Sequence, residues 1–252
     1  VPVDSSTTAS RSTFHMGNAV VNAADKLRAD VIDAASHMLE RDAGALAFSS
    51  SGVIVADDPG TGVGYDEIVE QAGAGFSAIG DCIVGGTFSA PDGNEYPIAS
   101  TFWTFAAAGA EVEVDTQTGE VTLVRASASA NVGTAVNPQS ILNQLEGGIS
   151  MEMGPTLFEQ MLWDEGGQLL NAALVDYPLP TMETMPDYRP TMVEHPYPGG
   201  PFGAKGMGEI GSVIIPGAVL NAVYDATGIL FHEVPLLPHL VLEALDAKAA
   251  GA

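Results

Sequence analysis

The chain has 252 residues, 46% of them hydrophobic, which is enough for one large domain or two small ones with a sizeable core. Its formal charge of −24 arises from 32 acidic residues against only 8 Lys and Arg, so it lacks the basic surface that nucleic acid or an anionic membrane would require. Cys82 is the single cysteine, which excludes an internal disulfide and any cysteine-held iron–sulfur cluster or zinc site within the chain.

The first twelve residues are polar and rich in hydroxyls, the pattern of a solvated terminus. From Asn18 to about Glu40, Val20, Ala24, Leu27, Val31, Ala34, Ala35 and Met38 recur at helical spacing and predict an amphipathic helix. Short strands are expected over 45–50 and 52–56, a short helix over 65–72, and a strand over 82–88 with Cys82 as a small buried hydrophobe. The clearest β signal is Ala110-Glu111-Val112-Glu113-Val114-Asp115, which turns at 116–119 and returns as Val121-Thr122-Leu123-Val124, a hairpin with one wet face.

Asn137-Pro138 starts a helix, with an N-cap followed by Pro at the first helical position, and it continues through Leu145, Ile149 and Met153 with Gln144 on it. Residues 155–202 carry many prolines and read as an irregular connection with strand, too apolar to be a flexible linker. An apolar helix is expected over 213–224, limited by Pro216, then a strand over 229–234 and a last helix over 238–249. These elements make an α+β fold of mixed and antiparallel sheets with packed helices. No internal repeat or clean domain boundary is visible. The five histidines show no metal-ligand spacing, and no apolar run is long enough to predict membrane insertion or a leader. Without a targeting signal the expected location is the cytoplasm, or an exported complex carried by a partner's signal.

The segment Gly203-Ala204-Lys205-Gly206-Met207-Gly208-Glu209-Ile210-Gly211-Ser212 sets one carboxylate among glycines before an apolar stretch. Glycines let backbone approach a ligand closely, and a helix N-terminus stabilises an anion, so Glu209 is either a presented acid or base or a simple cap.

Five ordered blocks together resemble the C-terminal part of the cofactor subunit of the molybdenum hydroxylases, the xanthine dehydrogenase and aldehyde oxidase family. They are VPVDSSTTASRSTFHMGNAV (1–20), AEVEVDTQTGEV (110–121), VNPQSILNQLEGG (136–148), DYPLPT (176–181) and GAKGMGEIGS (203–212). The resemblance implies the C-terminal molybdopterin-binding domain throughout 1–252, with a cofactor loop at 1–20, the hairpin at 110–124 and a catalytic loop at 203–212. It implies a molybdenum–pterin cofactor in its cytosine dinucleotide form, contacted by Thr8, Ala9, Ser10, Arg11, Ser12, Gln144, Lys205, Gly206 and Gly208. No residue is expected to ligate the metal directly, but Ala9 and Glu209 are expected beside it.

Glu209 is then the general base in oxidation of an electron-poor carbon, an N-heterocycle or an aldehyde, with water as oxygen source. Other readings open at this point are a carbon monoxide dehydrogenase type and a non-catalytic scaffold of the same fold. The resemblance further implies a much longer complete subunit. The chain is therefore expected as half of a split subunit, inactive alone, assembled with an N-terminal molybdenum-subunit fragment, a [2Fe–2S] subunit and an FAD subunit.

Overall fold

The computed structural model describes residues 6–73, 76–82, 87–89, 91–97 and 100–251. They form two compact units: the described residues of Val1–Thr7 with Arg11–Ala99, and of Thr8–Ser10 with Ser100–Ala252.

In the first unit, α1 (Ser12–Leu39) is followed by the antiparallel strands β1 (Leu46–Phe48), β2 (Gly52–Val55) and β3 (Asp58–Gly64) and by α2 (Tyr65–Ala72). The C-terminal half of α1 packs its apolar face, Val31, Ala35 and Met38, with Val53, Val63 and Ile68 into a small core. The helix begins at Ser12, about two turns before the predicted Asn18. Only Phe14, which is buried, marks those extra turns as structured. β3 was not expected, because Asp58-Pro59-Gly60-Thr61-Gly62-Val63-Gly64 offers one apolar side chain where a strand usually alternates several. Cys82 is half-buried and outside any strand. The expected strand over 82–88 falls largely outside the described residues, β4 (Thr87–Ser89) pairing antiparallel with β5 (Glu95–Pro97).

The second unit is built on β6 (Ala106–Val114), β7 (Val121–Gly133) and β8 (Asp187–Glu194), in the order β6-β7-β8. The hairpin over 110–124 is present but longer at both ends, since Ala106 to Gly109 and Ala126 to Ala130 are too small to show an alternating pattern. Asp115 begins its turn by accepting from the backbone N–H groups of Gln117 and Thr118, and these hold its carboxyl below the usual range. β8 runs parallel to β7, which requires a long crossover, and α3 (Pro138–Leu157) supplies it.

α4 (Ile210–Thr227) lies across β6 and packs on α3. Ile215, Val219 and Val223 are fully buried with Leu145, Ile149 and Met153. By length and composition α4 could cross a membrane. Those three buried residues pack one face of it against α3 and the sheet. It starts at Ile210, one turn before the predicted Val213, and accommodates Pro216 inside, while the expected strand over 229–234 is irregular backbone. α5 (Pro238–Ala249) closes the unit as predicted.

Candidate active site

The end of β7 positions the loop that leads into α4. Lys205 N–H donates to Val132 O at 3.0 Å, Thr134 N–H donates to Gly203 O at 2.8 Å, and Gly133 forms an antiparallel bridge with Ala204. This fixes the chain up to Gly206, and α4 begins four residues on. Helices α3 and α4 touch where Gly148 faces Gly211. A side chain at Gly148 would lie 2.8 Å from the Gly211 Cα, so only glycine permits this approach. The contact brings Gln144, one turn earlier on α3, beside the start of α4. A Cβ built at Gly208 would lie 3.5 Å from Ser10 Oγ and 3.8 Å from Gln144 Oε1.

Glu209 occupies the N-cap position of α4, but its side chain makes no capping hydrogen bond. Its backbone carbonyl is the acceptor for Ser212 N–H (3.1 Å) and Ser212 Oγ–H (2.8 Å). The carboxylate is exposed and accepts from Ser10 Oγ–H through Oε2 at 3.2 Å, while Glu209 N–H donates back to Ser10 Oγ at 3.1 Å. Ala9 and Ser10 are consecutively left-handed, with φ 48° and 55°. Together with Phe102, Trp103, Met207, Ile210 and Val213, Ala9, Ser10 and Glu209 line a cleft of about 290 Å³.

The structure thus gathers Ala9, Ser10, Gln144, Gly206, Gly208 and Glu209. Arg11 and Ser12 belong to the other unit, where Arg11 Nη1 donates to Ser6 O (3.5 Å) and Ser12 Oγ shares a hydrogen bond with Thr7 Oγ1 (2.9 Å). Thr8 is exposed. Lys205 is only 8% exposed and donates through Nζ to Trp103 O at 3.0 Å, with the rings of Phe105 and Tyr197 at 5.7 and 5.6 Å. One of its three N–H donors is thus directed at the backbone of the cleft wall. Sequence reasoning missed that wall: Trp103, Thr104 and Phe105 belong to no recognisable motif, yet Thr104 Oγ1 donates to Gly206 O at 2.8 Å and Trp103 stands 70% exposed beside the site. The aromatic run from Phe102 to Phe105 was the available signal.

A pterin group with its phosphates asks for close backbone approach, neutral hydrogen-bonding groups and an open mouth. The bare face of Gly208, the Gln144 amide beside it and the left-handed Ala9-Ser10 turn are compatible with that requirement. Among the described residues no cluster of His, Cys, Asp and Glu could itself hold a metal ion.

Comparison with known proteins identifies the family of the fold. Residues 1–186 match the family model described as the molybdopterin cofactor-binding domain. The chain is 30% identical over 254 residues to a Bacillus subtilis protein named as a probable xanthine dehydrogenase subunit, covering 98% of this chain and 32% of that protein. Among solved structures, the Cu,Mo carbon monoxide dehydrogenase matches with TM-score 0.79 and 25% identity over the whole chain and 31% of its own length. Quinoline 2-oxidoreductase from Pseudomonas putida 86 matches with TM-score 0.74 and 27% identity, over 95% of this chain and 30% of its own. The chain spans about a third of the length of these relatives. With its α+β architecture, the loop and the match over 1–186, this chain belongs to the molybdopterin cofactor-binding domain family of the molybdenum hydroxylases.

Proposed function

We propose that this chain forms the catalytic-loop part of a molybdenum hydroxylase subunit that oxidises an electron-poor ring carbon, with an aldehyde carbon as the other substrate class, using water as the oxygen source. The observation that carries it is Glu209: an exposed carboxylate at a helix start, free of any capping role and held at the mouth of a cleft with aromatic walls. The bound cofactor supplies two-electron redox chemistry and activates oxygen.

The protein's own part is proton transfer and orientation. Ser10 engages Oε2, so Oε1 is the oxygen that makes no hydrogen bond among the described residues and can accept a proton in the cleft. Phe102 and Trp103 put aromatic rings in the wall of the cleft, which suits a planar substrate and favours the ring carbon over an aldehyde. The assembly we propose adds the remainder of the molybdenum subunit, a [2Fe–2S] protein and an FAD protein as the route for electrons, with the pterin as its cytosine dinucleotide.

Glu209→Gln in the assembled complex tests the reading. The expected result is a fall in kcat of about 10²- to 10⁴-fold with molybdenum and pterin content unchanged, measured by elemental analysis and by fluorescence of the released pterin. Undiminished turnover would sink the assignment.

A further inference from the structure

Ser10 and Glu209 are 199 positions apart in the chain, yet a single hydroxyl joins them twice: Oγ–H donates to Glu209 Oε2 at 3.2 Å, and Oγ accepts from Glu209 N–H at 3.1 Å. Reaching that position is conformationally costly. Ala9 and Ser10 both take left-handed backbone, at φ 48° and 55°, a conformation that L-residues other than glycine rarely adopt. Glycine would adopt this turn without that cost, but glycine has no hydroxyl. The turn is held by its surroundings, because the Ser10 carbonyl lies in the space that a Cβ on Gly206 would occupy. Glu209 makes no capping bond, so Ser10 is the one described side chain that restrains its carboxylate.

We propose that Ser10 is a positioning residue whose hydroxyl holds the Glu209 carboxylate in the orientation from which it accepts a proton. The inference rests on the reading of Glu209 as the base. It assigns the hydroxyl to the protein's own carboxylate instead of to the cofactor, whose contacts from this loop then fall to backbone groups. A carboxylate on a flexible stem samples many rotamers, and a fixed donor beside one oxygen selects among them before substrate arrives.

The test uses Ser10→Gly and Ser10→Ala in the assembled, cofactor-loaded complex, alone and combined with Glu209→Gln. Both single variants are expected to lower kcat about ten- to hundred-fold with KM, molybdenum and pterin content unchanged, the glycine variant without backbone strain. In the Glu209→Gln background neither should cause further loss. A crystal structure of Ser10→Gly should show the Glu209 carboxylate displaced or spread over several rotamers. The proposal is overturned by unchanged kcat, by a loss that tracks loss of molybdenum and pterin, or by an equal further loss in the Glu209→Gln background. If Glu209→Gln alone keeps full turnover, the reading of Glu209 as base has failed. The crystal structure then decides the coupling by itself: a Glu209 carboxylate left in place overturns it, and a displaced one supports it.

Discussion

Glu209 stood between two readings in the sequence, a helix cap and a presented carboxylate, because both need an acid just before a helix. The structure removes the side-chain cap and shows another bond partner. A capping carboxylate accepts from its own helix, whereas this one accepts from Ser10, far away in the chain. Gly206 shows the same dependence, since its missing Cβ leaves room for the Ser10 carbonyl and for the Phe102 ring. Gly206→Ala would push the Ser10 backbone and carry its hydroxyl away from Glu209. The expected outcome is a fall in kcat of at least tenfold, together with a destabilisation of about 1–3 kcal/mol from overpacking, read by steady-state kinetics and denaturant unfolding. Lys205 was expected among the cofactor contacts, and its place in the sequence gives no hint that its ammonium turns to Trp103 O between two aromatic rings. Arg11 and Ser12, adjacent to the site residues in sequence, join the other unit because Ser12 opens α1 and Arg11 is its N-cap.

At the level of elements, periodicity was a good guide wherever one face of a helix or strand is buried and the side chains are large. The helices over 65–72 and 238–249 and the middle of the hairpin follow from it. It failed at β3 and at the small-residue ends of β6 and β7, where pairing is made by backbone and no side-chain pattern records it. The parallel pair β7–β8 lay beyond local reading, since Asp187 to Glu194 contains Pro190 and pairs across the crossover through α3.

The exposed side of this sheet carries a charge cluster. Arg125 bridges Glu111 (2.6 Å) and Asp187 (3.2 Å), and Arg189 adds a second cation to Asp187 (2.8 Å). Arg189 first, then Arg125, holds the Asp187 carboxyl below the usual range, while Asp187 and Glu111 raise the Arg125 guanidinium. A carboxyl with a depressed folded pKa stabilises above its unfolded value, near 3.9, and loses that contribution as pH falls through the folded value. Asp187→Asn should therefore lower the thermal midpoint slightly at neutral pH, with the gap to wild type closing below about pH 4. A gap that persists in acid would assign the effect to packing. Because the cluster is exposed, the neutral-pH gap should also shrink with added salt.

For the whole molecule, the net charge of −24 sets a repulsive background that no local pairing cancels. Its thermal midpoint should rise by a few degrees between about 0.01 M and 0.15 M ionic strength, as screening shortens the reach of that repulsion from about 30 Å to about 8 Å. A midpoint that falls with salt would mean that ion pairs such as Arg125–Asp187 outweigh it. The sequence by itself determined the α+β class, the helix starts with strong signals, the family resemblance and the place of Glu209 just before a helix, because each is carried by neighbouring residues or by ordered blocks. Only the tertiary structure decided that Ser10 bonds to that carboxylate, that Lys205 donates to Trp103 O, and that Trp103 and Thr104 line the same cleft. Those facts depend on residues about one hundred to two hundred positions apart meeting through the bridge from β7 to Ala204 and the glycine contact between α3 and α4. Local patterning does not encode such meetings, because it reports which faces are apolar and not which of them come together.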